Sequence, residues 1–133
     1  APVTPVRGIA LDKINHRLVI ADHFEGGGDH GVRVPYHFPP GIDAAEETPG
    51  LWRLTADGEE FLLVCNGGED WTATLGDGWV SPSYGVKHPA KVLNFFRHGP
   101  LLPLAVAILP AEDAPDDPLA WLAETVEGFE ITG

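Results

Sequence analysis

Four of the six histidines recur every seven residues and are the first candidates for metal binding or acid–base chemistry. They are His16, His23, His30 and His37. A spacing of seven places side chains on one face only in a continuous helix, but this segment has the pattern of strands and is interrupted by three consecutive glycines. The histidine spacing therefore predicts no shared site. A small metal-dependent enzyme that uses Asp22, His30 and His37 is kept as a remote alternative.

Nucleophilic side chains are equally sparse. Cys65 ends an apolar run and is predicted to be a small core residue. The only serines, Ser81 and Ser83, flank a proline and lack the strand–turn–helix setting of a nucleophile elbow. The triple glycine at residues 26–28 has no following lysine, so it does not form a phosphate-binding loop. The sequence thus predicts no complete catalytic site, no metal site and no cofactor.

Aromatic side chains offer a different chemistry, because their faces stack on sugar rings. Trp79 and Tyr84 adjoin predicted turns, and Tyr36 precedes His37 in a predicted strand. These four residues are the predicted carbohydrate-binding residues, with burial against the core as the competing interpretation. Trp71 instead follows an alternating pattern that predicts a core position. A stand-alone carbohydrate-binding module is therefore one hypothesis for the chain.

Charge excludes several classes of partner. The chain has 20 acidic and 8 basic residues and a formal net charge of −12, whereas nucleic acids and anionic membranes require clustered lysine and arginine. The longest apolar run, residues 100–110, contains prolines and is too short to span a membrane. We therefore expect neither a nucleic-acid nor a membrane partner. The single cysteine forms no internal disulfide and leaves the compartment undefined, whether cytoplasmic, periplasmic or secreted.

The elements that must position these residues are predicted to be strands. The 133-residue chain holds 16 glycines and 13 prolines, which divide it into short segments with alternating apolar residues. This pattern predicts an all-β fold, an antiparallel β-sandwich of about eight to ten short strands. The length suits a single domain over residues 1–133. At most one short helix is expected, near residues 118–125, followed by a last strand over residues 126–131.

Turn residues give the local predictions. Residues 13–15 and the Asp57–Gly58 pair are expected to close hairpins, and residues 76–78 to form a further turn. Pro35 lacks a backbone N–H group, which predicts an edge strand or a bulge. The acidic segment at residues 42–50 is expected to be a solvated loop.

Several blocks of sequence resemble a known family. Residues 78–93 read Gly-Trp-Val-Ser-Pro-Ser-Tyr-Gly-Val-Lys-His-Pro-Ala-Lys-Val-Leu, and residues 28–41 lead into Tyr-His-Phe-Pro-Pro-Gly. Together with residues 15–22, these segments resemble the heparinase II/III-like family of polysaccharide lyases, in which a block similar to 78–93 precedes a strand near the C-terminus. The predicted strand over residues 101–109 would be its counterpart. The resemblance covers most of the chain.

The resemblance implies where catalysis would take place. Members of this family combine a helical toroid, which carries most of the catalytic residues, with a C-terminal antiparallel β-sandwich. This chain would then be the non-catalytic sandwich domain, which supports a helical toroid domain of the parent protein and contacts polysaccharide. The parent protein would be a lyase that cleaves uronate-containing glycans by elimination. No catalytic residue and no metal ligand of the family finds a counterpart here, and the acidic charge is a departure that opposes polyanion binding.

Overall fold

Strands form most of the chain. The computed structural model describes residues 4–26, 28–66, 71–83 and 85–132, and it describes no side chains for residues 79–83, 86–89 and 127–132. In chain order, the described strands and helix are β1 (Thr4–Asp12), β2 (Arg17–Glu25), β3 (Asp29–His37), β4 (Ile42–Thr48), β5 (Leu51–Ala56), β6 (Glu59–Cys65), β7 (Thr72–Ser83), β8 (Val86–Pro100), β9 (Leu104–Pro110) and α1 (Pro118–Thr132).

The strands form two antiparallel sheets. Sheet A has six strands in the order β1-β2-β9-β6-β5-β4, and sheet B has three strands in the order β3-β8-β7. This architecture confirms the prediction of an all-β antiparallel sandwich. The strand that contains Pro35, β3, lies at an edge of sheet B, where the missing N–H group costs no ladder hydrogen bond on its outer side.

Large apolar side chains fill the space between the sheets. Alternation along each strand turns every second residue inward, so Leu63 of sheet A packs in one cluster with Leu93 and Phe95 of sheet B, and all three are fully buried. Cys65 and Trp71 are buried in the same cluster, which confirms both predictions of core positions. Burying each large apolar side chain stabilises the fold by roughly 1.5–3 kcal/mol.

Two predicted hairpins are confirmed. β1 pairs with β2 across residues 13–16, and β5 pairs with β6 across Asp57 and Gly58. Asp57 and Gly58 have φ angles of 49° and 81°, the two left-handed conformations that a two-residue turn of this twist requires. The register of the first hairpin places Arg7 directly opposite Asp22.

Helix α1 covers the outer face of sheet A. Leu122 is fully buried in an apolar cluster with side chains of β2, β6 and β9. The helix begins after Asp117, whose carboxylate accepts a hydrogen bond of 3.1 Å from the Ala120 backbone N–H. The helix continues through residues 126–131, so it is longer than predicted and the prediction of a last strand there is wrong. Val126, one turn after Leu122, packs on the same cluster, and this spacing of four explains the helix.

Two further segments are more extended than the sequence indicates. Residues 42–48 form edge strand β4 rather than a loop. The strand packs alternate apolar side chains on the core and turns acidic ones to solvent, as exposed edge strands commonly do. Residues 76–78 lie within β7 instead of forming a turn. Gly78 is needed there because a Cβ atom would lie 2.7 Å from Val92 Cγ2.

Candidate functional site

One acidic side chain lies inside the sandwich. Asp22 is 5% exposed and is the only buried charged side chain among the described residues. It follows Ile20 on the inner face of β2, because every second residue of the strand faces the core. A buried carboxylate is unfavourable unless hydrogen bonds and an opposite charge compensate it.

Arg7 of the neighbouring strand supplies that compensation. Its Nε donates to Asp22 Oδ1 over 2.7 Å and its Nη2 donates to Asp22 Oδ2 over 2.9 Å, and such a bidentate pair is stronger than a neutral hydrogen bond. The hydrogen bond with Asp22 raises the pKa of Arg7, against the lowering effect of burial. The Arg7 side chain is itself 45% exposed, so the ion pair lies at the margin of the core.

Tyr36 connects this ion pair to sheet B. Its hydroxyl donates to Asp22 Oδ2 over 3.4 Å, and the Arg7 Cζ atom lies 5.6 Å from the centre of its ring. The ring also packs edge-on against Phe95, with centroids 5.6 Å apart and an interplanar angle of 90°. We call Arg7, Asp22 and Tyr36 the polar bridge, because together they join the two sheets.

The Tyr36 hydroxyl of the polar bridge holds its proton firmly. Burial raises the pKa of the Tyr36 hydroxyl well above its ordinary range, and the charge of Asp22 raises it further. A general base needs a pKa near the working pH, whereas the phenol in this setting stays protonated. We therefore interpret the bridge as a connection that stabilises the sandwich and not as an acid–base centre.

The polar bridge was not predicted from the sequence, although the sequence pattern around Asp22 indicates the ion pair with Arg7. Asp22 interrupts an apolar strand, and counting back across the β1–β2 turn pairs it with Arg7. A charged residue on an apolar strand opposite an arginine indicates a buried ion pair. Tyr36 reaches Asp22 from the other sheet, and no local pattern reveals that contact.

The predicted carbohydrate-binding residues do not share one surface. Tyr36 is half-buried and faces the core, whereas His37, the next residue of β3, is exposed on the opposite face. Arg7 lies over the Tyr36 ring, and Phe95 packs against it at a right angle. The Trp79 side chain and the whole of Tyr84 lie outside the described residues.

The three residues of the metal hypothesis are not brought together. Asp22 is engaged by the polar bridge, and His37 is exposed on the outer side of β3. Within the described ranges, no group of three or more histidine, cysteine, aspartate and glutamate residues could hold a metal ion. The alternative of a metal-dependent enzyme built on Asp22, His30 and His37 therefore finds no support in this part of the chain.

Two surface clefts border described strands of sheet A. The first, of about 850 Å³, has walls of mixed polar and apolar residues, and its Arg53 guanidinium is held by Glu47 and Glu60. The second, of about 750 Å³, is lined mainly by apolar residues of β1, β2 and β9, and it adjoins Arg7 and Asp22. The arginine of the first cleft is thus already paired, and the second lies beside the polar bridge.

Comparisons with known proteins give no relative of the chain. No family model matches it, nor does any curated protein or any solved structure. No helix among the described residues is long and apolar enough to cross a membrane. Function must therefore be argued from the sequence blocks and from the geometry of the fold.

Proposed function

We propose that the chain is a non-catalytic β-sandwich domain of a heparinase II/III-like polysaccharide lyase, where it supports the catalytic domain and contacts polysaccharide. The observation that carries the proposal is the block at residues 78–93, which resembles the family segment ahead of a C-terminal strand. Residues 78–83 and 86–93 of this block lie in the paired strands β7 and β8, and β9 follows. A strand pair followed by a further sandwich strand supports the resemblance.

The chemistry of the polar bridge supports a non-catalytic role. Eliminative cleavage of a uronate needs a base that removes the proton beside the carboxylate and an acid that protonates the leaving oxygen. Within the polar bridge, Tyr36 carries the hydroxyl that could transfer a proton, and burial raises its pKa so that it stays protonated. We therefore assign both proton transfers to a catalytic domain elsewhere in the parent polypeptide.

An elimination assay tests the proposal. The unsaturated uronate that a lyase forms absorbs ultraviolet light, so product can be followed on heparin, heparan sulfate and alginate. We expect no product from the 133-residue chain alone and clear product from the parent polypeptide expressed with its adjoining coding sequence. Product from the chain alone, or none from the parent polypeptide on any of these glycans, would contradict the proposal.

A stand-alone carbohydrate-binding module is the second candidate, and one observation favours it. His37 lies on the same exposed sheet face as Phe96, and an exposed aromatic ring can stack on a sugar. This candidate predicts glycan binding by the chain and no elimination by the parent polypeptide. Tryptophan fluorescence titration with neutral and acidic oligosaccharides, run beside the elimination assay, separates the two functions.

A further inference from the structure

The outer face of sheet B exposes its edge strands and Phe96 to solvent, whereas Val92 on the middle strand is buried. On each strand, the residues that alternate with the core-facing positions turn outward, and on β3 they are exposed. We call this surface the outer B face. The side chains that matter for its chemistry are Arg33, His37, Asn94, Phe96, Thr72 and Thr74.

Strand register arranges these residues in rows across the sheet. Arg33 of β3 pairs with Phe96 of β8, which pairs with Thr72 of β7. Asn94 and Thr74 lie opposite each other in the next row. Neighbouring strands are about 4.8 Å apart and each residue advances about 3.4 Å, so the area from the Arg33 row to the His37 row measures about 10 Å by about 14 Å. A short stretch of a glycan chain fits on such an area.

An exposed aromatic ring lies on the middle strand of this face. Phe96 is 47% exposed, although its neighbour Phe95 is fully buried. The exposed residues Thr72 and Thr74 bring hydroxyl groups to the strand beside it. An apolar ring bordered by a few hydrogen-bonding groups is the composition that small-molecule and sugar sites use.

Charge distinguishes this face within an acidic chain. Between the rows of Arg33 and His37, the described outward positions hold no acidic residue, although the chain has 20 of them; Asp29 lies beyond this area, at the start of β3. Arg33 is exposed and pairs with no carboxylate among the described residues. By contrast, Arg7 and Arg53 are held by acidic partners. Among the described residues, the outer B face therefore presents a positive charge with no carboxylate partner beside an exposed ring.

We infer that the outer B face binds the uronate units of an acidic polysaccharide. Phe96 stacks on a sugar ring, and Arg33 forms two parallel hydrogen bonds with a carboxylate. The hydroxyls of Thr72 and Thr74 bond to sugar hydroxyls, and His37 adds a ring N–H donor at the far end. The choice of ligand class rests on the proposed function, and the structure supplies the surface.

The overall charge restricts which anions can bind here. A net charge of −12 repels extended polyanions at long range, so attraction is confined to the neighbourhood of Arg33. Nucleic acids require several lysines and arginines for their phosphates. A glycan whose uronate sugars each carry one carboxylate, and whose apolar ring faces can stack on Phe96, matches the outer B face better than a nucleic acid does.

Calorimetric titration of the 133-residue chain tests the inference. The probe is a size-defined oligouronate prepared from alginate, and the comparison ligand is a neutral cello-oligosaccharide of equal length. We expect the oligouronate to bind more tightly than the neutral ligand. Arg33→Gln and Phe96→Thr should each weaken oligouronate binding about fivefold to tenfold. Threonine favours strands, and circular dichroism checks that both variants fold.

Two variants on sheet A serve as matched controls. Lys13→Gln removes an exposed positive charge at the β1–β2 turn, and Ile9→Thr removes an exposed apolar side chain on β1. Both should leave the affinity for the oligouronate unchanged.

Four outcomes would overturn the inference. They are no binding of the oligouronate, equal losses in the controls and in the variants of the outer B face, tighter binding of a single-stranded oligonucleotide, and a dimer in sedimentation that Phe96→Thr abolishes. The dimer would mean that a second copy covers the face. The elimination assay on the parent polypeptide is independent of this titration, so failure here leaves the proposed place of the chain in a polysaccharide lyase standing and removes only the binding role of the outer B face.

Discussion

Sheet A and sheet B differ in how many of their faces are buried. Sheet A packs on sheet B through its inner face and, over β2, β6 and β9, on α1 through its outer face, whereas Ile9 and Leu11 of its edge strand β1 are exposed. Sheet B buries its inner face but leaves Phe96 and Arg33 exposed on the outer one. Arginine therefore has opposite roles on the two sheets: Arg7 neutralises a buried carboxylate, whereas Arg33 faces solvent and can meet a ligand. The strands of sheet A that are buried on both faces stabilise the fold, whereas sheet B, buried on one face, keeps a surface for recognition.

The neighbouring phenylalanines of β8 give the largest expected contrast. Phe95→Ala removes a fully buried ring and should lower the free energy of unfolding by about 3–5 kcal/mol. Phe96→Ala removes a half-exposed ring and should cost about 1 kcal/mol or less. Urea unfolding followed by circular dichroism measures both values. Similar losses from the two substitutions would contradict the assignment of inner and outer faces.

The polar bridge should give an intermediate effect. Arg7→Leu leaves the Asp22 carboxylate buried without its counter-charge, and we expect a loss of about 2–3 kcal/mol. This lies below the range for a fully buried pair, because Arg7 is half-exposed. Asp22→Asn removes the charge itself and keeps an acceptor, so it should cost only about 1 kcal/mol.

Chemical unfolding of the Arg7 and Asp22 variants and of their double variant completes the cycle. The double variant should be less destabilised than the sum of the single variants, because the two residues interact directly. Strict additivity would show that the ion pair is not formed.

The hydroxyl of Tyr36 should have a small effect on stability and a distinct effect on its pH dependence. Tyr36→Phe removes one hydrogen bond, worth about 1 kcal/mol. Burial raises the folded pKa of Tyr36 above the ordinary value of about 10, so the folded chain holds this proton more tightly than the unfolded chain. The stabilisation is complete below about pH 10 and is lost as the pH rises further.

Unfolding curves at increasing alkaline pH check this expectation. The Tyr36→Phe variant should lose stability less steeply than the unmodified chain above about pH 10. Identical slopes for the two proteins would argue that the hydroxyl is not buried beside Asp22.

Features of the fold that depend on neighbouring residues could be predicted from the sequence. The Asp57–Gly58 turn needs two residues in the left-handed backbone conformation. Pro35 favours an edge strand of a sheet because it lacks a backbone N–H donor. Cys65 and Trp71 lie in apolar or alternating segments, and both are buried. Each of these predictions depends on the residue itself and its neighbours in sequence, and contacts with distant parts of the chain do not change it.

Features that depend on distant contacts could not be predicted. Residues 42–48 have the sequence of an acidic loop, but they pair with β5, and residues 76–78 are extended because they pair with β8. The helix continues through residues 126–131, and Val126 packs on the outer face of sheet A.

The candidate site shows the same limit. Of the predicted carbohydrate-binding residues, the described His37 side chain lies on the outer B face and that of Tyr36 faces the core. Arg33 and Phe96 were missed, because alternation along a strand separates two faces but does not reveal which face another layer covers.

Chemical-shift mapping by NMR tests the central claim, that the open face of sheet B is the recognition surface. The 133-residue chain would be titrated with the oligouronate while backbone amide signals are followed. The largest shifts are predicted at Arg33, His37 and Phe96 and on the adjoining part of β7, with Arg7 and Asp22 unmoved. Shifts concentrated at the polar bridge, or no shifts anywhere, would contradict the account.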